Sequence, residues 1–129
     1  MLRAVILLSL LILSCKKEND DFSLVGKWTL LEEYNGNSVL DGCFCWEKAS
    51  ASAQHTVEFR PDGSYVLTPT PVSSAAGCTG IYERSADTLR WNRCGPAVIE
   101  SKITWQSPYM LLEEKVLGGV YVYKYMREN

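Results

Sequence analysis

One histidine, His55, is all that the 129-residue sequence contains. Chemistry that needs paired histidines, or a zinc ion held by several of them, is therefore excluded. Surplus charge is also scarce, because 13 Lys and Arg stand against 15 Asp and Glu for a formal net charge of −2. No dense basic stripe breaks that balance, so nucleic-acid binding driven by the phosphate backbone has no electrostatic footprint here. The chain has no glycine-rich loop opening a helix, no sequential metal motif, and no convincing helical period beyond residue 15. Carboxylates do occur side by side, as Glu32-Glu33 and Glu113-Glu114. Neighbours on a strand point to opposite faces, so neither pair flanks a common substrate. Nothing in the sequence asks for a cofactor or marks an enzyme, and the length allows one small domain with a small core.

What is present begins with an address. Residues 1 to 14 read MLRAVILLSLLILS, with Arg3 ahead of a short apolar run, the pattern of a secretory signal and too short for a membrane span of about 20 residues. Ile12-Leu13-Ser14-Cys15 closes the run and resembles the lipobox of bacterial lipoproteins. That resemblance implies cleavage before Cys15 and its modification with diacylglycerol and a third, palmitate-like chain, which together anchor the protein stably in a bilayer. Residues 15 to 23 then read as a polar, acylated tether. The expected residence is the outer membrane, on its periplasmic or cell-surface face.

Four further cysteines, Cys43, Cys45, Cys78 and Cys94, form an even set in an exported chain of this size, which favours two disulfides. Cys43 and Cys45 are separated by one residue, and a bond between them closes a very tight ring. Each is therefore expected to reach Cys78 or Cys94, with no preference between those two pairings. The rival reading of Cys43-Phe44-Cys45 is a metal-binding or redox pair, against which stand its single-residue spacing and the lack of a nearby His or Met.

Short runs rich in Val, Ile, Thr, Tyr and Trp, divided by Gly, Pro, Asn and Asp, fill residues 26 to 127. They predict an all-β chain of eight strands: GKWTLLEEY, HTVEFR, SYVLT, TGIYER, TLRWN, VIESKITW, YMLLEEK and VYVYKYMR. Short turns join most of them, which gives an eight-stranded antiparallel up-and-down meander closed into a small barrel, since closure removes the exposed edges of so long a sheet. The exceptions are residues 37 to 54 and 69 to 78, two long loops with room in the first for a short helix or a lid. The inward-facing candidates are Trp28, Leu30, Val57, Phe59, Tyr65, Leu67, Tyr82, Leu89, Trp91, Ile99, Ile103, Trp105, Leu111, Tyr121, Tyr123 and Tyr125. Many are large, and an eight-stranded barrel is just wide enough to be filled by side chains or to hold one small ligand. Tyr121, Tyr123 and Tyr125 form one stripe. Facing in, its hydroxyls need partners or a polar ligand; facing out, it offers an aromatic surface to another macromolecule.

Leu24-Val25-Gly26-Lys27-Trp28, Phe59-Arg60-Pro61-Asp62-Gly63-Ser64-Tyr65 and Gly80-Ile81-Tyr82 follow in that order. With the lipobox and tether ahead of them, they resemble the lipocalin-like domain lipoproteins of Bacteroidetes-type bacteria, within the lipocalin superfamily. The resemblance covers residues 24 to 127. It implies a barrel whose bottom is closed by Trp28 under a stacked Arg127. It also implies binding of a small or amphipathic ligand at the mouth. Alternatives are a protein-interaction or enzyme-inhibitor module acting through the loops around Cys43 and Cys78, and a structural component of the envelope.

Overall fold

In the computed structural model, which describes residues 23–37, 43–71 and 76–129, the strands follow the alternation of the sequence. They are β1 (Gly26–Asn35), β2 (Trp46–Lys48), β3 (His55–Phe59), β4 (Ser64–Pro69), β5 (Cys78–Ser85), β6 (Thr88–Trp91), β7 (Ile99–Gln106), β8 (Tyr109–Val116) and β9 (Gly119–Arg127). All pairings are antiparallel. From β3 onward each strand pairs with the next, and β9 returns to β1 through Trp28↔Arg127 to Asn35↔Tyr121. Eight strands thus make an up-and-down closed β-barrel, consistent with a lipocalin-like fold class.

Tight turns at residues 60–63, 86–87 and 107–108 lie at one end, called the bottom, beside both Gly26 and Arg127. The described parts of the longer connections, residues 36–37, 43–54, 70–71, 76–77 and 92–98, lie with the Leu117-Gly118 turn at the other end, the top. In the lowest turn Gly63 takes φ +85°, a conformation open to glycine and strained for other residues.

β2 is the strand that the sequence did not announce, because three residues are too few to show a period. It pairs with Glu32–Tyr34 of β1, while β3 pairs with Gly26–Thr29. As β9 occupies the whole other edge, β2 and β3 share one edge of β1. Between them Ala49 N–H donates to Leu31 C=O at 2.9 Å, and residues 51–53 turn. The described part of the 37 to 54 excursion is therefore a strand and a turn rather than a helix.

Inward residues pack the lower and middle barrel. Trp28, Leu30, Val57, Phe59, Tyr65, Leu89, Trp91, Met110, Leu112 and Tyr125 are all buried. The Phe59, Tyr65 and Trp91 rings meet at 5.4 to 6.3 Å, and Phe59 meets Tyr82 edge-on at 5.0 Å. Truncating any of the central aromatics would cost about 3 to 5 kcal/mol. One inward expectation is corrected: in β8 it is Met110, Leu112 and Glu114 that are buried, and Leu111 pairs with Lys124 on the outer face. Tyr109 follows the Ser107-Pro108 turn on that outer face, so the buried phase begins one residue later than expected.

Candidate functional site

The barrel top differs in chemistry from the packed bottom, and a β-bulge is one cause. Leu30 pairs with Tyr125 but Glu32 pairs with Lys124, so Leu31 is an extra residue in β1. Beyond it the faces are exchanged. Glu32 points outward and meets Lys124 Nζ at 3.1 Å, whereas Glu33 enters the lumen opposite Tyr123.

A second cause is the loop after β6. Arg93 and Cys94 both have left-handed backbones, φ +43° and +63°, which reverse the chain and carry the Arg93 side chain into the mouth. The Tyr65 hydroxyl reaches this loop, donating to Asn92 Oδ1 and accepting from Cys94 N–H at 3.1 Å. The Cys78–Cys94 disulfide ties it to the start of β5. Arg93 lies over Tyr123 at 4.3 Å and over Trp91 at 5.2 Å, and its guanidinium forms an ion pair with Glu114. Ser101 Oγ completes the network, accepting from Trp91 Nε1–H at 3.4 Å and donating to Glu114 Oε1 at 3.3 Å. Arg93 Nε is buried without a hydrogen-bond partner among the described residues.

His55, at the top of β3, completes this mouth. Its Nδ1 lies 2.9 Å from Ala53 C=O, which can only accept, so Nδ1 carries the proton and the neutral ring's Nε2 accepts from the Tyr125 hydroxyl at 2.8 Å. Burial holds the His55 pKa below its usual value against the pull of the Ala53 hydrogen bond, and Arg93 pushes the same way as burial. Burial raises the Glu33 carboxyl above the ordinary range, with Arg93 opposing and Glu47 reinforcing the rise. Tyr125, fully enclosed, has its phenol pushed up mainly by burial.

The tyrosine stripe faces inward, with Tyr125 buried and Tyr123 packed partly buried against the core. Polar partners meet it there: His55 for Tyr125 and the Arg93 guanidinium for Tyr123. At the bottom, the Arg127 guanidinium covers the Trp28 ring at 4.4 Å and donates to the carbonyls of Val25 and Ser23. Trp28 Nε1–H donates to Leu24 C=O at 2.9 Å. Cys15 and the signal segment lie outside the described residues.

The cysteine pairing expected from the sequence is corrected. Cys43 bonds to Cys45, not to a distant partner, and Cys78 bonds to Cys94. The tight ring closes because Phe44 between the two cysteines adopts φ +52°, which brings their Cα atoms to 5.1 Å, within the usual span of a disulfide. The ring holds Phe44 out at the rim, 56% exposed, next to Trp46 at 44%. Trp46 packs on Tyr34 at 5.5 Å, and Lys124 bridges the outer face between Trp46 at 5.8 Å and Tyr109 at 4.4 Å. Tyr34, Trp46 and Tyr109 thus make an aromatic strip with Lys124 on the outer face, and Phe44 stands exposed at the rim. A groove of about 720 Å³ also lies on the wall, where Glu100, Lys102, Glu113 and Lys115 line it with charges of both signs.

Sequence reasoning missed Arg93, Glu33 and Glu114. Glu114 shares the i, i+2, i+4 phase of Met110 and Leu112, a signal that the misread strand phase hid. Glu33 depends on the bulge, and Arg93 on two left-handed loop residues, neither of which has a sequence signature. Comparisons of the chain with protein-family models, with curated proteins and with solved structures found no match.

Proposed function

We propose that the protein is a non-catalytic binding lipoprotein of the outer membrane, carried there by residues 1 to 14 and anchored through acylated Cys15. It works through the rim and outer aromatic surface of a lipocalin-like barrel. The observation that carries this reading is the contrast between inside and outside. Large side chains fill the barrel as far as Trp91 and Tyr125, whereas Phe44 and Trp46 stand exposed beside it. Exposed, rigidly held aromatics are what protein recognition uses as anchors, and the ring limits how much freedom Phe44 loses on binding. Ser23 lies against Arg127 at the bottom. A tether ending at Ser23 would join the barrel at the bottom and so turn the top away from the bilayer, toward a partner.

A second reading is a small or amphipathic anionic ligand at the mouth, favoured by the buried Arg93 Nε that lacks an acceptor. The two separate experimentally. A photo-crosslinking residue placed at position 44 or 46 of the full-length lipoprotein in cells is expected to capture a discrete protein, whereas one at exposed Ile81 on the wall captures none. Native mass spectrometry of the exported domain is expected to show no bound cargo. Cargo that leaves on denaturation, with no crosslink at 44 or 46, would replace the first reading by the second.

A further inference from the structure

The two disulfides are not equivalent. Cys78–Cys94 spans 16 residues and fastens β5 to the loop that carries Arg93. Cys43–Cys45 spans two, fastens nothing to anything else, and constrains the unfolded chain very little. The segment around it is held without it: Phe44 N–H donates to Asn35 C=O at 3.0 Å, β2 pairs with β1, and Ala49 is bonded to Leu31. A tight ring at the exposed rim that does no stapling can open and close without loosening the barrel.

From this we infer that Cys43-Phe44-Cys45 is a thiol–disulfide exchange site, reduced and reoxidised while the barrel stays folded. Three observations support it. Residues 43 to 48 are exposed throughout, so an incoming thiolate can reach the sulfurs, and exposed disulfides are the labile class. The closed ring also keeps Phe44 at φ +52°, a left-handed backbone that a bulky residue leaves once the bond opens. Release of that conformation favours the dithiol. Finally, Glu47 Oε1 lies 3.8 Å from Cys45 Sγ. The carboxylate disfavours a thiolate on Cys45 and can hold its thiol proton, so Cys43 is the better leaving sulfur.

The exchange balances with a dithiol as the co-reactant. One thiolate of the dithiol bonds to Cys45 Sγ as the Cys43–Cys45 bond breaks, and Cys43 departs as thiolate and takes up a proton. The second thiol of the reductant, having lost its proton, attacks its own sulfur in the mixed disulfide and releases Cys45, which is protonated. Two electrons and two protons pass from the dithiol to the ring. The partner class is a protein or peptide bearing a free cysteine pair. The site requires neither the anchor nor the binding role proposed above.

Graded glutathione buffers and dithiothreitol, followed by alkylation and peptide mass mapping of the exported wild-type chain, test this. Cys43 and Cys45 are expected to become alkylated together in buffers that leave Cys78–Cys94 intact, with an unchanged circular dichroism spectrum. Trapping with glutathione is expected to place the mixed disulfide on Cys45. The oxidation rate of dithiothreitol by the chain is expected to fall at least tenfold in Cys43→Ser/Cys45→Ser. Reduction of Cys43–Cys45 only together with Cys78–Cys94, unfolding on its reduction, or a rate unchanged by the double substitution would each overturn the inference.

Discussion

Replacing Arg93 by methionine is the perturbation that most directly probes how the barrel mouth is held. The Arg93 and Glu114 side chains are only 17% and 10% exposed, so the change would leave an enclosed carboxylate without its counter-charge. Breaking a buried pair in this way costs about 3 to 5 kcal/mol. Loss of the stacking on Trp91 and Tyr123 adds about 1 kcal/mol, while removing the unpartnered Nε returns about as much. A loss of about 3 to 5 kcal/mol is therefore expected. With a urea slope of about 1.5 kcal/mol/M for a chain of this size, the unfolding midpoint moves down by about 2 to 3 M. Tryptophan fluorescence reads the transition, since Trp91 sits in the network. Arg93→Met/Glu114→Leu removes both charges and is expected within about 1 kcal/mol of the parent, or above it. A single variant that loses less than about 1 kcal/mol, or a double variant as unstable as the single, would refute the reasoning.

Further expectations concern the disulfides, the histidine and a glycine. Cys78→Ala/Cys94→Ala should cost about 3 kcal/mol, whereas Cys43→Ala/Cys45→Ala should cost no more than about 1.5 kcal/mol; urea titrations of the two variants check the difference. Because the His55 pKa is depressed in the folded state, the unfolded chain binds the extra proton below pH 6.5. The His55 contribution to stability is thus intact above pH 6.5 and is lost as pH falls from there through its folded value. Glu33, whose pKa is raised, slopes the other way above pH 4.5, so the measurement is the difference in pH–stability slope between the parent and His55→Gln. A steeper slope in the variant would contradict the assignment. A Cβ at Gly80 would lie 2.6 Å from the Tyr65 ring, and Gly80→Ala is expected to cost about 1 to 3 kcal/mol, read as a lower thermal midpoint.

The strands of the barrel wall were legible because most carry a strict alternation: Leu89 and Trp91 against Arg90, or Ile103 and Trp105 against Lys102 and Thr104. The Phe59 to Tyr65 hairpin was legible through Pro61-Asp62-Gly63. The mouth was much less so. The inward turn of Glu33 depends on one extra residue in β1, and a count of residues does not reveal on which strand a bulge will fall. The Cys43–Cys45 ring goes with a Phe44 conformation that its side chain disfavours, and no residue type in that segment announces it. The direction of the tyrosine stripe was left open for the same reason, because Val120 and Val122 on the opposite face are as apolar as a core strand. Only the neighbours His55, on β3, and Arg93, from the loop after β6, show which face is enclosed.

The shared edge of β1 also bears on how copies of the molecule behave at high concentration. β3 stops at His55, and without β2 the backbone groups of Glu32 to Tyr34 would be left as an open strand edge, able to template the same segment of a neighbouring chain. β2 covers that edge and exposes its own, which is only three residues long and carries Glu47 and Lys48. The excursion that displays Phe44 is thereby also a guard against self-association. Shortening the segment to remove the rim would be expected to yield a barrel that oligomerises, so the recognition surface and the solubility of the protein are bound to the same eight residues, 43 to 50.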